Sequence, residues 1–194
     1  MQRLLLTLEG IEGSGKSTQA QRLKAFLDSR GIPSILTREP GGSPLGERIR
    51  EMILTPGKEP LTPEAEVLLF LAARAQHVRR IIGPALDKGE VVICDRFTDA
   101  TLAYQGGNGT ISDELLRSLN RWATGAISPT RTYLIDVPVD VGLARRRVGE
   151  PSRHRTVSSR RAPRSLRPFG SDTWKSHVQN RNDLSFLGVR IRRR

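Results

Sequence analysis

Apolar and polar residues follow two different rules along this chain, and the change comes near Arg147. Before it, short apolar runs alternate with stretches whose apolar residues recur every three or four positions. The runs at 3–9, 33–37, 91–94 and 131–136 predict buried strands. Between Thr18 and Leu27 the apolar positions Ala20, Leu23, Ala25, Phe26 and Leu27 fall on a helical repeat. A second helix is predicted from Pro63, where proline suits a first turn, Glu64 and Glu66 suit the helix dipole, and Val67, Leu68, Leu71 and Ala75 form an apolar face. A third follows Ser112, a capping residue, with Leu115, Leu116 and Leu119 as its stripe, and a fourth covers Val139 to Arg147. This alternation predicts an α/β fold, a three-layer parallel sheet with helices on both faces.

After Arg147 the periodicity ends. The chain turns to Arg, Ser and Pro, and only Leu184 to Ile191 has strand-like content, followed by Arg192, Arg193 and Arg194. The expected division is a folded domain over 1–147 and an irregular basic tail over 148–194, with the closing strand and helix of the domain missing or irregular. Three explanations of the tail compete: a disordered basic extension, a nucleic-acid contact segment, and a change of reading frame. The abruptness of the break favours the third.

The string GIEGSGKS, Gly10 to Ser17, fits GxxxxGK[ST] and stands between the first predicted strand and the first predicted helix, the context such a loop requires. Glycines at 10, 13 and 15 let successive N–H groups turn inward around phosphate oxygens. The loop from Gly10 through Ile11, Glu12, Gly13, Ser14, Gly15, Lys16, Ser17 and Thr18 is therefore the expected ATP-binding segment. The helix N-terminus and Lys16 answer the phosphate charge, and the Ser17 hydroxyl is a magnesium ligand. Asp95 and Arg96 follow the apolar run VVIC, so they leave the carboxyl end of a strand, where open parallel sheets place their ligands. Asp95 is expected to hold Mg²⁺ with Ser17, and Arg96 to bind phosphate.

Composition narrows the class. The size suits one core, no apolar run is long enough to span a bilayer, and a cytoplasmic protein is expected. The single cysteine, Cys94, excludes an internal disulfide and reads as a small buried hydrophobe. A net charge of +12 suggests nucleic acid until it is divided along the chain. Residues 1–147 hold 20 Lys and Arg against 17 Asp and Glu, whereas residues 148–194 hold 12 against 3. The excess belongs to the tail.

Three further strings join the phosphate loop: TREPGG (Thr37 to Gly42), FLAARAQHV (Phe70 to Val78) and DRFTDATLAYQG (Asp95 to Gly106). In this order and spacing, and with Glu12 inside the loop, they closely resemble bacterial thymidylate kinases, over roughly residues 1–147. The resemblance implies transfer of the ATP γ-phosphate to dTMP, with Mg²⁺, in a homodimer. It implies that Phe70 stacks on thymine and Arg74 hydrogen-bonds it, that Thr101 and Gln105 contact the base edge, and that Tyr104 lies by the sugar and selects deoxyribose. It places Glu12 at the 3′-hydroxyl of the acceptor and Glu39 near the magnesium and phosphate region. Arg48 shares a helix with Glu47, Arg50 and Glu51, where a solvated charge pair is as good a reading as a phosphate contact. Ala100 stands where many relatives have Ser.

The resemblance also implies a mobile lid after the last predicted helix, whose arginines neutralise the transferring phosphate. Arg145, Arg146 and Arg147 stand where that lid begins, and Arg146 and Arg147 are expected to be catalytic beside Lys16, Asp95 and Arg96. The family's continuation is not recognisable beyond them, so turnover by this chain is expected to be impaired. The alternatives are another nucleoside or nucleotide kinase, and a non-catalytic nucleic-acid-binding protein using the tail, although nucleic acid is not the expected partner.

Overall fold

The computed structural model describes residues 3–55, 57–106, 111–149, 183–186 and 189–193. Strands β1 (Leu5–Glu9), β2 (Ser34–Arg38), β3 (Val91–Asp95) and β4 (Arg131–Asp136) form a parallel sheet in the order β2-β3-β1-β4. The four predicted strands are all present within two residues of their expected ends. Two short strands, β5 (Asp183–Phe186) and β6 (Val189–Arg193), continue the sheet beyond β4 in antiparallel fashion. The single apolar stretch expected at 184–191 is thus divided between two strands.

Because a strand turns successive side chains to opposite faces, β1 and β3 feed two separate cores. Leu5, Val92 and Cys94 pack with Val78, Ile82, Leu86 and Phe97 on one face. Leu8 and Ile93 pack with Ala20, Leu27 and Ile135 on the other. Helix α1 (Lys16–Ser29) covers the second face. The first is covered by a π-helical turn at Val78–Ile82 and by α4 (Gly83–Asp87), which continue α3 (Pro63–His77) without a break. Cys94 is fully buried, as its composition-level reading requires.

Local chemistry sets the helix starts. Ser43, Thr62 and Ser112 each accept a hydrogen bond from the N–H three residues on, opening α2 (Pro44–Leu54), α3 and α6 (Asp113–Thr124). Such caps contribute about 1 kcal/mol each. Pro44 and Pro63 occupy first turns, where no donor is lost. Gly125, at φ 56°, ends α6 in the left-handed region.

The predicted apolar stripes are not all buried. Leu68 of α3 and Leu115 of α6 are 61% and 51% exposed, beside Met52 of α2 at 59% and Trp122 of α6 at 79%. Helix α3 packs against both α2 and α6, so this outer layer carries large apolar side chains on water. The last helices are α5 (Thr98–Gln105) and α7 (Val139–Gly149). No helix among the described residues is long and apolar enough to cross a membrane.

Candidate active site

The carboxyl ends of β1, β2 and β3 converge, and each is followed by a segment with unusual backbone. After β1 the chain passes through Gly10 at φ 142°, Gly13 at φ 72° and Gly15 at φ 98° before α1 begins. A methyl group on Gly13 would lie 2.0 Å from the Gly142 carbonyl oxygen, so α7 packs its backbone directly on the loop. A methyl group on Gly15 would meet nothing within 4 Å among the described residues. Lys16 is buried at 6% exposure, and its Nζ donates to the Ile11 carbonyl at 2.6 Å and to Ser14 Oγ at 3.4 Å. Burial, and then repulsion from Arg96, lower its pKa to about 8.

Ser17 Oγ donates to Asp95 Oδ2 at 2.5 Å. The two residues assigned to magnesium from the sequence are therefore neighbours, with both side chains at the mouth of the loop. Two hard oxygen donors suit Mg²⁺, which takes few protein ligands and completes its shell with phosphate and water. No cluster of three or more His, Cys, Asp or Glu capable of holding a metal exists among the described residues.

After β3, Arg96 adopts φ 73°, a left-handed conformation that disfavours a side chain. The turn is pinned on both sides. Arg96 N–H donates to the Leu8 carbonyl at 3.0 Å, and Phe97 N–H donates to Glu9 Oε1 at 2.8 Å. The guanidinium of Arg96 lies 5.1 Å from the centroid of the Tyr104 ring, and its buried NH1 has no hydrogen-bond partner among the described residues. Burial alone would weaken that cation, but Tyr104, Glu9 and Asp95 outweigh it and raise the pKa. A cation held this way, with a spare donor, is built to receive an anion.

These elements border one cleft. Glu12 of the phosphate loop lines it, as do Arg96, Tyr104, Thr101, Gln105, Phe70, Arg74, Glu39 and Ala100. The structure thus brings the residues expected to contact nucleotide from separated strings to one cavity. Arg74 and Glu39 are less free than their sequence roles suggest. Arg74 is 2% exposed and donates from Nε to Glu39 Oε2 at 2.7 Å, from NH2 to the Phe97 carbonyl at 3.0 Å, and from NH1 to Asn120 Oδ1. Glu39 Oε1 pairs with His77 Nδ1 at 3.1 Å. Burial would raise the Glu39 pKa, but Arg74 and His77 prevail and hold it below the ordinary carboxylate value. Its carboxylate, expected near the magnesium, is committed to α3.

Two residues of the site are not legible as such in the sequence. Arg50 lines the cleft and donates to the Pro40 carbonyl at 2.8 Å, whereas Arg48 faces solvent. The burial of Gly46, Ile49 and Ile53 supplies a signal, since Arg50 lies beside that inner face and Arg48 away from it. Burial first, and Arg38 next, depress the Arg50 pKa, as expected of a cation crowded by others without a bound anion. Glu9 is the second, and nothing in its spacing distinguishes it from a strand-end carboxylate. Arg146 and Arg147 fall in the last turn of α7, and their side chains lie outside the described residues, as do Arg153 and Arg155.

A parallel sheet, a phosphate loop entering a helix, a Ser-Asp oxygen pair and a cation-rimmed cleft define a P-loop phosphotransferase of nucleotides. Comparison with known proteins narrows the class. The family model described as thymidylate kinase matches residues 8–167. Curated relatives named thymidylate kinase from Ectopseudomonas mendocina (strain ymp) and Pseudomonas fluorescens (strain SBW25) are 53% and 54% identical over 145 residues, covering 75% of this chain and 69% of theirs. The crystal structure of thymidylate kinase from Ehrlichia chaffeensis superposes with a TM-score of 0.64 at 38% identity, over 75% of this chain and 83% of that one. The chain belongs to the thymidylate kinase family.

Proposed function

We propose that this protein transfers the γ-phosphate of ATP to the 5′-phosphate of dTMP, giving dTDP and ADP. The observation that carries the reading is that Glu12 of the phosphate loop and the base-contact residues Phe70, Thr101 and Gln105 line the same cleft. Donor and acceptor can therefore meet across one loop.

The protein's part is positioning and charge neutralisation, because both reactants are anions. Lys16 and the loop N–H groups hold the ATP phosphates. Ser17 and Asp95 would hold Mg²⁺, which supplies charge neutralisation between donor phosphates when bound. Arg96, with Arg50 beside it, receives the acceptor phosphate. Phe70 stacks on the base, Arg74, Thr101 and Gln105 read its edge, and Tyr104 packs against the sugar. Glu12 takes the 3′-hydroxyl, and Glu39 orients Arg74 from behind.

The lid arginines are Arg146 and Arg147. Support comes from the contact of Gly142 with Gly13, which seats α7 on the phosphate loop only one helical turn before them. The domain over 1–147 carries the binding residues, and the tail over 148–194 bears on turnover. The exposed Met52, Leu68, Leu115 and Trp122 support a homodimer through α2, α3 and α6. The cytoplasm, where ATP and nucleotide pools meet, is the compartment this reaction calls for.

The test is coupled ADP release with ATP and Mg²⁺ on the full chain, comparing dTMP, dUMP, CMP and thymidine. Turnover that requires dTMP supports the reading. Preference for unphosphorylated thymidine or for CMP would refute it.

A further inference from the structure

Behind the wall of the cleft lies a buried pair that phosphoryl transfer does not use. Gln105, the last residue of α5, lines the cleft at 6% exposure. Its Nε2 donates at 2.8 Å to Oε1 of Glu66, which lies in the first turn of α3 at 9% exposure. The place of Glu66 in the first turn suits the helix dipole, and its side chain is also turned inward.

A carboxylate can only accept hydrogen bonds, whereas a primary amide has a donor end and an acceptor end. Facing Glu66, Gln105 must present its NH₂. Rotating the amide by half a turn would set carbonyl against carboxylate and leave both buried acceptors unmatched. The amide is therefore oriented before any ligand arrives, and Oε1 is the acceptor it has left for a base. Arg74, in the same wall, is a donor under all conditions. Donor and acceptor together match a pyrimidine with a 4-oxo group and an N3–H. They oppose a 4-amino pyrimidine, whose amino group would meet a guanidinium and whose N3 lone pair would meet Oε1. Thr101 does not decide between the two, since its hydroxyl rotates to give or accept.

We propose that Glu66 is a specificity-determining positioning residue, fixing the Gln105 amide so that the cleft takes 4-oxo and rejects 4-amino pyrimidine nucleotides. The inference rests on the dTMP reading above. Sites that leave buried polar groups mismatched discriminate strongly, so the effect is measurable by binding alone.

Isothermal titration of the full chain with dTMP, dCMP and ATP separates the cases, using the natural protein, Glu66→Gln and Glu66→Leu. Gln at 66 keeps the volume and can face either end of the Gln105 amide, and Leu removes the constraint altogether. The expected result is a dTMP-to-dCMP affinity ratio at least tenfold lower in both variants, with dCMP binding gained in absolute terms and ATP binding within about twofold. Equal weakening of both pyrimidine nucleotides, or an unchanged ratio in Glu66→Gln, would overturn the inference and leave the dTMP reading standing. If the natural chain itself shows no preference for dTMP over dCMP, the functional reading fails first and the role of Glu66 falls with it.

Discussion

Replacing Glu9 by Gln is expected to leave the fold intact and to remove a loss of stability at rising pH that the natural chain must show. The Glu9 carboxyl is 1% exposed, with Oε1 taking the Phe97 N–H and Oε2 without a hydrogen-bond partner among the described residues. Burial chiefly, and Asp99 next, push its pKa from 4.5 to about 8, against the pull of Arg96, the Phe97 N–H and Lys16. The folded chain therefore binds a proton between pH 4.5 and about 8 that the unfolded chain has released. The associated stability is fully present below 4.5 and is lost as pH rises through 8. At ~1.4 kcal/mol per pH unit the loss across this window is about 5 kcal/mol, comparable to the whole margin of a small domain. Lys16 works in a different window. Its pKa falls from 10.5 to about 8, so the unfolded chain is the one that binds more protons above pH 8, and stability recovers there.

Gln at position 9 keeps an oxygen toward the Phe97 N–H and sets an uncharged NH₂ at the Oε2 position. Urea-unfolding free energies followed by circular dichroism should diverge in favour of Glu9→Gln by several kcal/mol between pH 5 and pH 8. Curves that run parallel over that range would refute the picture of a neutral, buried Glu9. Glu9→Ala supplies the contrast: the Phe97 N–H loses its acceptor at a cost of ~1–3 kcal/mol at every pH. The same change releases one of the two bonds that hold Arg96 at φ 73°, and dTMP affinity should fall by about tenfold, a modest share of what a charged hydrogen bond contributes.

Three shorter tests address other parts of the molecule. Arg74→Leu strands the Glu39 carboxylate at 4% exposure without its guanidinium, so thermal melting should report a loss of ~3–5 kcal/mol. Gly13→Ala forces a methyl group to within 2.0 Å of the Gly142 carbonyl, at a φ of 72°, and should weaken ATP binding at least tenfold with secondary structure unchanged, as judged by titration and circular dichroism. Trp122→Glu or Leu68→Glu places a charge on the exposed apolar layer of α6 or α3, and sedimentation velocity should show monomer where the natural chain sediments as a dimer.

Much of this was legible from sequence because period and chemistry agree. Short apolar runs marked the four strands of the parallel sheet, a three-to-four-residue recurrence marked four of its helices, and the phosphate loop fell between the first strand and the first helix. Partnerships were harder. Glu66 reads as a first-turn acid, and only the packing of α3 on α5 turns it onto Gln105. Arg74 and Phe70 share a helix face, but the spacing of four does not reveal that Arg74 is bound on three sides by residues 35, 46 and 23 positions away. Leu68 and Leu115 fit their stripes as core residues and are exposed instead, since hydropathy alone does not tell a domain core from an apolar face left on the surface.

The arrangement also explains why binding and turnover can part company in this chain. Every group assigned to holding the two nucleotides lies between Glu9 and Gln105 and is fixed by the parallel sheet: loop, Ser-Asp pair, pinned Arg96 turn and oriented Gln105 amide. The arginines assigned to the transferring phosphate come from elsewhere, at the far end of α7. That helix is anchored at its start, where Gly142 meets Gly13 and Ile11. From Gly142 to Arg146 is four residues, about one helical turn and 6 Å of rise, so α7 sets the backbone of Arg146 one turn beyond its contact with the loop. Charge neutralisation in the transition state acts on kcat, whereas prior contacts act on substrate affinity. Changes at Arg146 and Arg147 should therefore lower kcat, whereas changes at Phe70, Thr101 and Gln105 should weaken dTMP affinity.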